Sequence, residues 1–110
     1  MKIAVTGANG FVGRHILNEL NAVSVNVIAT TRNLEKKLPT IENGEWVKLD
    51  IAAPNENVYE LMGRPDALIH LAWEGLPNYT DLFHFERNLP NNYYFIKNMV
   101  EGGLKKVVIT

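Results

Sequence analysis

The stretch Thr6-Gly7-Ala8-Asn9-Gly10-Phe11-Val12-Gly13, directly after the apolar run Ile3-Ala4-Val5, constrains this chain more than any other. It reads as a buried strand turning tightly into a helix. Gly7 permits the turn where a side chain would clash, Gly10 lets the backbone approach a ligand closely, and Gly13 lets the new helix pack tightly on the strand. Val12, Ile16, Leu17 and Leu20 follow at helical spacing, which predicts one apolar face turned to a sheet. A helix N-terminus combines free N–H groups with the positive end of a dipole, so phosphate suits this turn. The plainer alternative is a glycine-rich turn without a ligand. The strand before it and the helix after it weigh against that alternative.

The remaining composition narrows the class. A chain of 110 residues has room for one small domain. Its 46% hydrophobic content is enough for a core, so an ordered fold is expected. The formal net charge is −1, with no block of one sign, which argues against a nucleic-acid or membrane-surface partner. Without cysteine there is no disulfide, thiolate catalysis or cysteine-bound zinc, and no metal site is assigned. The N-terminus enters a strand at once, and no apolar run is long enough to span a bilayer, so a soluble cytoplasmic protein is expected.

Four more strands are predicted. Val25–Thr30 is β-branched and apolar, and Trp46–Leu49 is a short third strand after a polar loop over 33–45. A weak helix over 55–62 carries Val58, Leu61 and Met62 as its apolar face, and Gly63-Arg64-Pro65-Asp66 stops it. Ala67–Ala72 is apolar nearly throughout, as a central parallel strand should be. A long helix opens at Thr80-Asp81 and runs through Phe83, Phe85, Leu89, Tyr93, Ile96, Met99 and Val100, with Pro90 expected to kink or split it. Gly102-Gly103 ends it, and Lys105–Thr110 begins the fifth strand.

The spacing T-G-x-x-G-x-x-G, together with Ile69-His70-Leu71-Ala72, resembles the extended branch of the short-chain dehydrogenase/reductase family. That branch includes nucleotide-sugar epimerases, dehydratases and 4-keto-sugar reductases. The resemblance implies a Rossmann-like, doubly wound α/β sheet of order 3-2-1-4-5, with residues 1–110 as the N-terminal dinucleotide-binding portion. It also implies a pyrophosphate held by Gly7, Asn9, Gly10, Phe11, Val12 and Gly13. Asp50, with Ile51 beside it, falls where the family binds the adenine amino group; a turn or capping Asp is the alternative. Leu71 and Ala72 fall where the family's backbone lies along ribose and pyrophosphate, and Trp73 replaces the usual Ala or Gly. Asn88 matches an Asn that supports the active-site geometry, whereas Asn91-Asn92 stands where the family has Gly-Thr.

Cofactor choice rests on the end of the second strand. An NAD site usually places Asp or Glu there for the ribose 2′-hydroxyl. This chain offers Thr31 and Arg32, and a guanidinium pairs with a 2′-phosphate, so NADP is expected over NAD. A solvated Arg32, with Glu35 serving the ribose, is the other possibility.

The family's catalysis needs Tyr-x-x-x-Lys on the helix after strand five, and a Ser or Thr at that strand's end. Tyr93-Tyr94-Phe95-Ile96-Lys97 has the pattern one helix too early; packing of Tyr93 with Ile96 and a solvated Lys97 is the better account. His70 is read as a buried structural histidine. No catalytic residue is therefore assigned within these residues, which are expected to be inactive alone. The whole protein is expected to act on a nucleotide-activated sugar, with a homodimer left open. A non-catalytic NADP-binding sensor and a plain interaction module are the rival readings.

Overall fold

The computed structural model describes residues 1–53, 55–71 and 89–109. Its elements are β1 (Lys2–Thr6), α1 (Phe11–Ala22), β2 (Asn26–Thr31), β3 (Gly44–Lys48), α2 (Val58–Leu61), β4 (Ala67–His70), α3 (Leu89–Gly102) and β5 (Lys106–Ile109). The strands form one sheet in the expected order β3-β2-β1-β4-β5, with every neighbouring pair parallel.

Side chains alternate between the two faces of a strand, and both faces of this sheet are apolar. Val5, Val27 and Ala29 point to the face covered by α1, where they meet Ala8 and Leu17. Ala4, Ile28 and Leu68 point the other way and pack with Val58, Met62, Phe95, Met99 and Leu104 around α2 and α3. The sheet is thus wound on both sides.

Several boundaries move for local reasons. β3 starts at Gly44, inside the polar stretch expected to be loop. There φ is +144°, and a Cβ would lie 1.8 Å from the Val27 carbonyl oxygen, so only glycine lets β3 begin so close to β2. The connection before it is pinned: the Trp46 indole donates to the Pro39 carbonyl (2.9 Å), and Asn21 donates to the Thr40 carbonyl (2.9 Å). β2 lies one residue later than predicted, at Asn26–Thr31, and β4 is shorter, at Ala67–His70.

Helix orientation also departs from expectation. α1 meets the sheet through Gly13 and Leu17, while Val12 is 54% exposed and lies outward beside Phe11 and His15. The backbone contact of Gly13 sets the rotation of α1, and successive residues lie about 100° apart around a helix, so Val12 is carried off the buried side. α2 spans only four residues, burying Val58 and, just beyond its end, Met62, while Leu61 is exposed. In α3, Pro90 sits in the first turn, where a missing N–H breaks no intrahelical bond. The expected helix over 80–88 lies outside the described residues.

Candidate dinucleotide site

β1 ends at Thr6, and Gly7 turns the chain with φ +67°. Gly10 N–H closes the turn by donating to the Gly7 carbonyl at 3.2 Å, and Arg14 N–H then donates to the Gly10 carbonyl at 3.0 Å, which starts the helical ladder. Arg14 Nε also donates to the Asn9 carbonyl at 3.2 Å, tying the first turn of α1 to the loop. Gly10 is the N-cap with an extended backbone; no side chain caps α1, and no acidic residue lies in its first turn. Among the described residues, no side chain therefore competes with an incoming anion for the N–H groups at that end.

The three glycines do different work. A Cβ at Gly13 would meet the Gly7 carbonyl oxygen at 2.5 Å and the Ala8 backbone at 2.6 Å, so this glycine is fixed by helix–strand packing. Among the described residues, a Cβ at Gly10 would meet only the Gly7 oxygen, at an ordinary 3.5 Å. The protein itself leaves space at Gly10, on its exposed outer side. That is the cradle a pyrophosphate needs and a side chain would fill.

Thr31, Arg32, Asp50, Ile51 and Leu71 lie at or just after the ends of strands that finish at one sheet edge. Thr6 lies opposite His70, and Thr31 opposite Lys48, so the carboxyl ends of β1, β4, β2 and β3 finish together. In open parallel sheets this is where ligands bind. Thr31 is buried, and its hydroxyl is engaged in a local turn: Asn33 N–H donates to it at 3.2 Å, and it donates to the Asn33 carbonyl at 3.3 Å. Arg32 follows on the exposed surface. Leu49 N–H donates to the Thr31 carbonyl (2.9 Å), which brings Asp50 to the edge. Asp50 accepts from Ala52 N–H at 2.9 Å, so one carboxylate oxygen forms a turn, and Ile51 packs against the core. Leu71 continues from β4, and its N–H is shared at 3.2 Å between the Thr6 carbonyl and the Thr6 hydroxyl. Ala72, Trp73 and Asn88 lie outside the described residues.

His70 is a buried structural residue, as read from sequence. Its Nδ1 lies 2.6 Å from Thr6 Oγ1, its Nε2 contacts Asn92 Oδ1, and its ring stacks on Phe95 at 5.1 Å. Burial pushes the imidazole below its ordinary pKa of 6.5, against an upward pull from the Asn92 hydrogen bond. Asn92 was not singled out by the sequence. Its one signal was that Asn91-Asn92 departs from the Gly-Thr of the resembled family.

Both residues of the early Tyr-x-x-x-Lys lie exposed on α3. Tyr93 is 59% exposed and rests edge-on against Tyr94, while Lys97 bridges to Glu101 at 3.7 Å. Among the described residues there is no group of acidic, histidine or cysteine side chains able to hold a metal, and no helix is long and apolar enough to cross a membrane.

Comparison with known proteins agrees with this fold. Residues 3–107 match the model of the NAD dependent epimerase/dehydratase family. A dTDP-6-deoxy-L-talose 4-dehydrogenase (NAD(+)) of Aggregatibacter actinomycetemcomitans is 33% identical over 110 residues, covering 99% of this chain and 40% of that protein. A dTDP-glucose 4,6-dehydratase of Escherichia coli is 33% identical over 112 residues, covering 93% of this chain and 28% of that protein. The solved structure of MoeE5 in complex with UDP-glucuronic acid and NAD superposes with a TM-score of 0.74 at 26% identity, over 99% of this chain and 36% of that one. The chain thus spans less than half the length of these relatives.

Proposed function

The chain belongs to the NAD dependent epimerase/dehydratase family, and from that premise we propose that it is the dinucleotide-binding portion of an enzyme acting on a nucleotide-activated sugar. The observation that carries the binding role is the Gly7–Gly13 turn, which opens onto a helix N-terminus with no side-chain cap among the described residues and leaves room at Gly10 for more than a hydrogen. The backbone N–H groups of Phe11, Val12 and Gly13 are positioned to receive the pyrophosphate, and the α1 dipole favours its charge. Asp50 offers a carboxylate oxygen to the adenine amino group, and the backbone at Leu71 runs beside the turn. When bound, the dinucleotide supplies hydride transfer; the described residues bind and orient it. The sugar-nucleotide substrate rests on the relatives, a dTDP-sugar dehydrogenase and a dTDP-glucose dehydratase. A cytoplasmic location follows from such soluble phosphorylated substrates.

The finer reading of the cofactor is NADP, supported by Arg32 and by the lack of a carboxylate at Thr31-Arg32-Asn33. NAD is the second reading, favoured by the relative whose name specifies NAD(+) and by the NAD in the MoeE5 complex.

Calorimetric titration with both dinucleotides tests the binding role. Wild type should bind at least one. Gly10→Val should stay folded, because its Cβ meets only an ordinary contact, and should lose binding because the branched side chain fills the cradle. Undiminished affinity in the folded variant would place the phosphate elsewhere.

A further inference from the structure

Three polar side chains with almost no exposure meet beneath the glycine turn: Thr6 at the end of β1, His70 at the end of β4, and Asn92 on α3. We propose that Asn92 is a positioning residue for the dinucleotide, acting through His70 and Thr6 to hold the end of β4 against the glycine turn. The inference rests on the dinucleotide reading above.

The direction of each hydrogen bond follows from donor and acceptor capacity. Asn92 Oδ1 can only accept, so His70 Nε2 carries the proton. A neutral imidazole has one N–H, which leaves Nδ1 bare and obliges it to accept. Its donor is the Thr6 hydroxyl, 2.6 Å away. With its proton committed to His70, Thr6 Oγ1 turns its lone pairs outward and accepts from Leu71 N–H at 3.2 Å. The chain of donors therefore runs one way: Leu71 to Thr6, Thr6 to His70, His70 to Asn92.

Burial makes this order obligatory. Thr6 is 0%, His70 2% and Asn92 6% exposed, so no bulk water can replace a lost partner. The same burial keeps the ring neutral, and stacking on Phe95 limits its rotation. Thr6 is the residue before Gly7, and Leu71 is the residue after β4. A side chain on α3 thus sets the relation between two backbone segments that border the proposed ligand. A threonine at this position, as in the resembled family's Gly-Thr, carries a hydroxyl that can either donate or accept and so leaves the tautomer open. The amide oxygen of Asn92 does not.

The test combines imidazole ¹⁵N NMR, amide exchange at Leu71, and calorimetry with NAD and NADP. Wild type should show His70 with a protonated Nε2 and a bare Nδ1. In Asn92→Leu the Nδ1-protonated form should appear, Leu71 N–H should exchange faster, and affinity should fall about two- to tenfold, the worth of one neutral hydrogen bond. Asn92→Asp restores an acceptor and should restore both tautomer and affinity. Thr6→Val cuts the chain at its other end and should also weaken binding and free the Leu71 amide, which keeps the test open if Asn92→Leu does not fold. A bare Nε2 in wild type would overturn the proposal. So would an affinity loss in Asn92→Leu with the tautomer unchanged and no recovery in Asn92→Asp. A wild type that binds neither dinucleotide defeats the binding role instead, while the tautomer and exchange data still report on the relay.

Discussion

Gly13 sits so close to Gly7 that a Cβ added at position 13 would come within 2.5 Å of the Gly7 carbonyl oxygen, whereas one added at Gly10 would stop at 3.5 Å from the same atom. One carbonyl thus separates a glycine that the fold requires from one that the fold does not.

Gly13→Ala should therefore destabilise the protein. A helical alanine is worth up to about 1 kcal/mol over glycine. Overpacking against backbone that cannot move costs about 1–3 kcal/mol, and here the obstructing atoms are all backbone. The clash should win, and the urea midpoint should fall. Gly10→Ala should leave the midpoint within about 0.5 kcal/mol of wild type. A Gly13→Ala protein as stable as wild type would mean that α1 can shift off the sheet at little cost.

How much of this was legible in the sequence depends on how local the cause was. The glycine turn and the strands at Lys2–Thr6 and Asn26–Thr31 were visible because β-branched runs and a strained turn are properties of a few adjacent residues. The outward position of Val12 was not, since the rotation of α1 is set by Gly13 against Gly7 and Ala8, a contact between elements. Gly44 read as loop, although its contact with Val27 makes it the start of β3. Asn92 was hidden for the same reason: its partner is 22 residues away, and only the packing of α3 on β4 brings it to His70.

Tyr93 and Lys97 supply a second prediction. Tyr93→Phe should leave dinucleotide affinity unchanged, as should any turnover of the whole enzyme. The phenol is exposed and Lys97 is turned to Glu101, so the two side chains are not held together as a proton-transfer pair needs. Turnover that disappears in Tyr93→Phe would overturn this assignment.

The buried imidazole makes stability depend on pH in a defined direction. Desolvation holds His70 below 6.5 in the folded protein, while the unfolded chain takes up its proton near that value. Below pH 6.5 the unfolded state binds more protons, so stability falls as pH drops toward the folded pKa. Above 6.5 both states are neutral and the contribution is flat. The slope from this one proton can reach at most about 1.4 kcal/mol per pH unit. Unfolding free energies from urea titrations between pH 5 and 8 should fall toward acid more steeply in wild type than in His70→Gln. Other groups titrate in both proteins, so the difference between the two profiles is the quantity to measure. Parallel profiles would show that His70 protonates alike in the folded and unfolded states.

The proposed preference for NADP turns on two adjacent residues. The Thr31 hydroxyl is buried in its turn with Asn33, so position 31 presents no carboxylate to a ribose 2′-hydroxyl. Arg32, next along the chain and exposed, can offer parallel N–H donors to a 2′-phosphate. A hydrogen bond to a charged group is worth about 1.5–3 kcal/mol net, which corresponds to roughly a tenfold to hundredfold preference for NADP. Screening at the exposed surface should bring the effect toward the lower figure. Arg32→Ala should weaken NADP binding and leave NAD nearly unchanged. Thr31→Asp should reverse the preference, because a carboxylate accepts from the ribose hydroxyls and repels the 2′-phosphate. Its oxygen can also accept from Asn33 N–H in place of the lost hydroxyl, so the turn should survive. Dissociation constants for both dinucleotides, measured for each variant at one salt concentration, decide the matter. If wild type binds NAD as tightly as NADP and Arg32→Ala changes neither, this chain shares the NAD use named for its dTDP-sugar relative, and Arg32 is a surface charge.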